Sequence, residues 1–210
     1  MEWINKIGRI VCLNLAKRED RLIDFTTMME KYSVPFERIE AIYDTESGAR
    51  GLRDTMVKLF TEEVAKETQS VLVFEDDAEI KVNEEIFHDT MNKVVEQLPD
   101  GYQMVFLGCQ LTSNGCRWQS GNLIEVTKAF STHACLYSLQ GMKDILAMGL
   151  DFPIDNSMVD KLQPHKRSYC TYPLLCSQRP GVSDIYRDNF IDWRPFIDQR
   201  FEQRVNQIRR

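Results

Sequence analysis

Three consecutive carboxylates, Glu75, Asp76 and Asp77, follow the apolar run Ser70-Val71-Leu72-Val73-Phe74. A run of that length and composition predicts a strand buried on both faces. Three adjacent acids cannot share a dry interior without partners, so they must emerge at the strand's C-terminal end. In open α/β sheets that edge is where ligands bind. Oxygen ligands on a rigid strand end suit a hard cation, Mn²⁺ or Mg²⁺, whose remaining ligands come from substrate phosphates. The competing reading is an acidic loop whose carboxylates cap the next helix.

Arg18 and Arg21 follow Asn14-Leu15, one turn apart at the start of a predicted helix. Guanidinium groups and free backbone N–H groups at such a place can face one anion, and a nucleoside diphosphate fits there. The plainer reading pairs these arginines with Glu19, Asp20 or Asp24 on a solvated face. Arg50 and Arg53 recur at the next strand-to-helix junction, so two junctions offer arginine to one pocket. Neither GxGxxG nor GxxxxGK[ST] is present. Asp155, behind Pro153, is a helix cap or a carboxylate able to take a proton from a substrate hydroxyl. His165 follows Pro164 in a loop-like stretch from which it could reach a metal, whereas His88 and His133 read as structural. Tyr43 and Trp118 could stack on a base or sugar ring or serve packing.

The elements that must hold these groups alternate. Strands are predicted over residues 9–15, 36–42, 70–74 and 104–108, with amphipathic helices between them. Pro35 closes the first helix and Asn83 caps the third. That order predicts an α/β protein with a mostly parallel central sheet flanked by helices on both faces. Residues 110–121 read as a loop or hairpin. Strand-like pieces follow at 123–126, 133–138 and 168–175, with a helix over 141–148.

At 210 residues, 43% hydrophobic and 28% charged, the chain can bury one sizeable core plus a small appendage. A net charge of −6 argues against nucleic acid as the main ligand. The six cysteines show no zinc spacing, which points to reduced thiols inside a cell. No signal-type apolar core and no stretch of ~20 apolar residues occurs, so no transmembrane segment is expected. Oligomeric state is not legible.

Segments 10–21, 36–44, 71–78, 104–108, 132–138 and 173–185 fall in the order seen in glycosyltransferase family 25, the lipopolysaccharide- and collagen-type sugar transferases with small virus-encoded relatives. The chain resembles that family over most of residues 9–185. Asn14-Leu15-Ala16-Lys17-Arg18-Glu19-Asp20-Arg21 and the Glu75-Asp76-Asp77 strand end carry the resemblance most specifically. It implies a GT-A-like (Rossmann-like) catalytic domain over residues 1–187, with a helical tail, 188–210, packed on it. It also implies a metal-dependent transfer from a nucleotide-sugar donor, a UDP-sugar foremost, to a glycan or glycoconjugate hydroxyl. A cytoplasmic setting, in a bacterial or virus-infected cell, goes with it.

Under this resemblance Asp77 leads the metal ligands of a DxD-like motif, with Asp76 beside it. Asn14, Leu15, Arg18, Tyr43, Asp44, Arg53, Glu75 and Asp76 border the donor. Residues 178–185 form a lid over the diphosphate. Where family members carry a Gly…Ser-His helix start, this chain reads Gly51-Leu52-Arg53-Asp54-Thr55-Met56, so substrate identity does not transfer. Two other classes stay open: a metal-dependent phosphohydrolase or nucleotidyltransferase, and a degenerate glycan- or nucleotide-binding module.

Overall fold

The computed structural model describes residues 2–112, 116–186 and 189–208. A short helix α1 (Glu2–Lys6) leads into β1 (Arg9–Asn14), α2 (Glu19–Lys31), β2 (Glu37–Glu40), α3 (Gly48–Ala65) and β3 (Ser70–Glu75). A turn at Asp76-Asp77 connects to β4 (Ala78–Ile80), then α4 (Glu84–Gln97) and β5 (Met104–Phe106). The short strands β6 (Gln110–Leu111), β7 (Arg117–Trp118), β8 (Leu123–Glu125) and β9 (Ala129–Phe130) precede β10 (Ala134–Ser138) and α5 (Leu139–Met148). One helical turn, α6 (Ile154–Ser157), is followed by β11 (Ser168–Thr171), β12 (Cys176–Gln178) and a hairpin of β13 (Gly181–Ser183) and β14 (Asn189–Ile191). The chain then runs through a π-helical turn at Pro195–Gln199 into α7 (Arg200–Ile208).

Helix starts follow local chemistry. Ser47, Asn83 and Ser138 accept hydrogen bonds from the backbone N–H of Arg50, Ile86 and Gly141, capping α3, α4 and α5. The eight-stranded sheet has the order β2-β1-β3-β10-β5-β11-β8-β7. Six strands run one way, while β10 and β8 run against them. The sequence pattern did not show β10 entering between β3 and β5. It pairs antiparallel with both neighbours. The charged strand β2 closes one edge, which guards it against pairing with another chain.

β3 explains why there are two cores. Val71 and Val73 join one cluster, with Phe60 of α3, Ile145 of α5 and Phe201 of α7. Leu72 and Phe74 join the other, with Trp3 of α1, Phe25 of α2 and Phe87 of α4. Alternate side chains of one strand thus fill both faces of a sheet covered by helices on both sides. The tail contributes Phe201 and Val205 to the first core. It begins as a strand at Asn189–Ile191 rather than as a helix. The expected boundary at 187/188 and the terminal Arg209-Arg210 pair lie outside the described residues. All six cysteines are buried and none forms a disulfide. No helix among the described residues is long and apolar enough to cross a membrane.

Gly108, just past β5, supports the site from below. A Cβ there would lie 1.9 Å from the Cys176 carbonyl oxygen and 2.8 Å from the His133 ring. Gly121 has nothing within 4 Å of the same position. Gly108→Ala should therefore lower stability by roughly 1–3 kcal/mol or more, as overpacking against backbone does, while Gly121→Ala leaves it nearly unchanged. Denaturant unfolding of both variants checks this; equal midpoints would contradict the packing described.

Candidate active site

The C-terminal ends of β1, β2 and β3 open into a cavity of about 350 Å³. Glu75 closes β3, and the Asp76-Asp77 turn is fixed from behind by the antiparallel pairing of β4 with β12. Arg179, just beyond β12, donates its backbone N–H to the Asp77 carbonyl at 2.7 Å and its guanidinium to the Asp76 carbonyl at 3.0 Å. The acidic turn therefore cannot swing away from the sheet.

Its charge is met by one arginine. Arg21 Nη1 lies 2.9 Å from Asp76 Oδ1 and 3.0 Å from Asp77 Oδ2, with only 16% of its side chain exposed. Asn14, at the end of β1, donates Nδ2 to Asp76 Oδ2 at 2.8 Å, and its Oδ1 accepts from Arg38 Nε at 2.9 Å. Gln178 donates to Asp77 Oδ2 at 3.0 Å. Burial and the neighbouring Asp77 charge raise the Asp76 pKa, against the opposing pull of Arg21 and Asn14.

Asp155 lines the same cavity from the first turn of α6. Its Oδ2 accepts the backbone N–H of Ser131 at 2.7 Å, and Thr132 Oγ1 lies 3.5 Å from its Oδ1. The same Thr132 hydroxyl donates to Glu75 Oε1 at 3.0 Å, so one threonine connects the two carboxyl groups. Burial, with the charges of Asp77 and Asp155 added, pushes the Glu75 pKa to about 8. Asp155 is raised as well, chiefly by burial. His133, in the cavity wall, is buried and driven down to about 4, which keeps its ring neutral at pH 7.

The other residues singled out by the sequence divide. Leu15, Tyr43 and Asp44 line the cavity with Glu75, Asp76, Asp77 and Asp155. Tyr43 is 60% exposed, with the Lys17 ammonium 4.4 Å from its ring centre. Asp44 is already engaged: Arg50 and the backbone N–H groups of Glu46 and Ser47 hold its carboxylate at about pKa 2. Asn14 and Arg18 stand behind the wall. Arg18 pairs with Asp20 and, at 2.6 Å, with Asp184. Arg53 is turned to Asp54 and to the ring of Phe152, outside the cavity wall. His165 contacts Gln103 at 3.3 Å, just before β5 begins, at the sheet edge opposite the acids.

Two parts of the site had no sequence signal. Ser131 and Thr132 are common residues made specific only by the pairing of β10 with β3 just after them. Tyr186 and Trp193 reach the wall through the β13–β14 hairpin. That hairpin is fastened over the site by Lys17 and Arg18 on Asp184, and by Arg18 and Arg21 on the Val182 carbonyl.

The donor chemistry fits a hard divalent cation in one respect. Asp77 Oδ1 is buried and has no hydrogen-bond partner. Among the described residues no group of three or more His, Cys, Asp or Glu is arranged to enclose a metal, so a cation at Asp77 would take other ligands from a bound substrate.

The chain matches no family model, and no curated protein matches it in sequence, so the likeness to glycosyltransferase family 25 rests on its motifs. Among solved structures it is similar to a glycosyltransferase involved in the glycosylation of the major capsid of PBCV-1. That match has 13% identity and a TM-score of 0.49, covering 77% of this chain and 80% of that one. It is also similar to a mannose-1-phosphate geranyltransferase from Thermus thermophilus, at 10% identity and TM-score 0.40, over 81% of this chain and 61% of that one. A third is CMP:2-keto-3-deoxy-manno-octonic acid synthetase, at 10% identity and TM-score 0.41, over 80% and 92% of the two chains. Likeness this distant carries no argument about activity.

Arg21→Ala leaves Asp76 and Asp77 facing each other without a cation. The expected loss is roughly 3–5 kcal/mol, the cost of an unpaired buried charge, read as a lower denaturation midpoint at unchanged slope. A loss below about 0.5 kcal/mol, as at an uninvolved surface position, would show that the acids are neutralised otherwise.

Proposed function

We propose that the protein is a glycosyltransferase that moves a sugar from a nucleotide-sugar donor, a UDP-sugar first among them, to a hydroxyl of a glycan or glycoconjugate. One observation carries this reading: the Asp76-Asp77 turn with its arginine, Arg21, and the Asp155 carboxylate line a single cavity. The donor's base lies against the wall at residues 41–44, and its diphosphate lies at the Asp77 end, where Arg21 offers positive charge. A neutral Glu75 carboxyl limits the repulsion that the diphosphate would otherwise meet.

In the transfer, the bond between the anomeric carbon and the β-phosphate oxygen breaks, and a bond from that carbon to the acceptor oxygen forms. The acceptor's proton goes to the Asp155 carboxylate. Asp155 is suited to this because burial raises its proton affinity while Ser131 holds its orientation. Arg21 stabilises the charge that develops on the departing diphosphate. A divalent cation held by Asp77 would, when bound, supply further positive charge against that leaving group.

The reading is checked by thermal shift with UDP, GDP and CMP, each with Mn²⁺ or with EDTA, on the wild type and Asp77→Ala. A ligand at a hundred times its Kd adds about 2.7 kcal/mol of stability. For a chain of this size that raises the melting temperature by several degrees, at roughly 2–4 °C per kcal/mol. One nucleotide class should give such a shift with Mn²⁺, with the metal-dependent part removed by EDTA and by Asp77→Ala. No shift with any nucleotide would contradict the transferase and leave the binding module.

A further inference from the structure

The cavity wall carries two chemically different groups of residues: a charged group with Arg21, Asp76 and Asp77, and an apolar and aromatic group of Phe130, Pro153, Tyr186 and Trp193. We infer that the aromatic group is the acceptor site and that it binds a sugar ring, with Trp193 and Tyr186 as its walls. The inference rests on the transferase reading and adds which residues hold the acceptor sugar.

Trp193 is built to be a fixed wall. Its backbone carbonyl accepts the N–H groups of Phe196 at 2.9 Å and Ile197 at 3.0 Å, and Ile197 is fully buried. Its ring rests on Phe196 with centres 5.8 Å apart. Tyr186 stands 6.0 Å away at an interplanar angle of 53°, so the two rings form an open corner rather than a closed stack. Tyr186 is 47% exposed, so part of its ring is open to a bound molecule. Burial and then the Asp155 charge raise its phenol pKa.

An aromatic corner beside a carboxylate matches a pyranose. The axial C–H bonds of one sugar face pack on an aromatic ring, while its hydroxyls take hydrogen bonds from Tyr186 and give them to Asp155. A small alcohol has no flat apolar face and would gain little from the two rings. Among the described residues no hydrogen bond or ring contact joins either ring to Arg21, Asp76 or Asp77, so the corner can be altered without removing a partner of those residues.

Saturation-transfer NMR on UDP-loaded protein, with methyl β-galactoside, methyl α-glucoside, methyl α-mannoside and methyl N-acetyl-β-glucosaminide as probes, tests this. At least one glycoside should receive saturation, strongest on its C–H protons. Its affinity should fall at least tenfold in Trp193→Ala, remain within threefold in Trp193→Phe, and fall in Tyr186→Ala, an exposed position that does not threaten folding. The UDP thermal shift should be the same in all four proteins. Glycoside binding unchanged by Trp193→Ala and Tyr186→Ala would overturn the inference. So would UDP binding with no glycoside bound, which would point to a non-sugar acceptor, and so would a UDP shift lost with Trp193, which would make the ring part of the nucleotide site. Failure of UDP to bind the wild type would instead remove the transferase reading on which the inference stands.

Discussion

A strand buried on both faces that ends in three acids poses one electrostatic problem, and much of the molecule is its solution. Ser70 to Phe74 are buried and the carboxylates of the turn that follows are nearly so, and a group with little access to water must be compensated by protein groups. Arg21 bridges Asp76 and Asp77, Asn14 ties Asp76 to the end of β1, and Gln178 comes from the strand paired with β4. Three separate stretches of chain are thereby drawn to one point. Glu75, left without a cation, is raised in pKa by burial and its acidic neighbours, so at neutral pH it can hold a proton. The site is compact because charges of opposite sign have nowhere else to go.

The same demand organises the hairpin. Lys17 and Arg18 lie at the start of α2 and face Asp184, while Arg18 and Arg21 also reach the Val182 carbonyl. The hairpin is fixed over the cavity by the cations that follow β1. Gly48, at the start of α3, allows this close approach: a Cβ there would sit 2.3 Å from the Asp184 carbonyl oxygen. The order of elements thus joins the first helix start, the acidic turn and the C-terminal hairpin into one wall.

The sequence was most legible where burial is one-dimensional. Apolar runs at β1, β3 and β5 and the spacing of Phe25 with Met29 and of Met91 with Val94 announce buried strands and amphipathic helices by periodicity, although the same pattern put the exposed Ile86 rather than the buried Phe87 on the inner face of α4. Asn83 announces its cap by residue type. The acids at 75–77 and at 155 were visible because charged residues beside apolar runs and turns are chemically conspicuous. What stayed hidden depends on pairings between distant segments. The antiparallel entry of β10 is a matter of topology, and β4 with β12 is a three-residue ladder too short to carry a pattern. Thr132 acquires meaning only when β10 lies against β3. His165 shows the converse: a loop histidine after proline is a plausible ligand in one dimension, and the fold sets it at the far edge of the sheet beside Gln103.

The central claim is that one cavity holds a nucleoside diphosphate at the acidic turn, with Asp155 left facing an acceptor. A crystal structure with UDP and Mn²⁺ tests it most directly. The account predicts the uracil ring against residues 41–44, the diphosphate between Arg21 and Asp77, and no nucleotide atom between Asp155 and the Trp193 corner. A nucleotide bound outside the cavity, or within it with its phosphates turned to Asp155, would contradict the account.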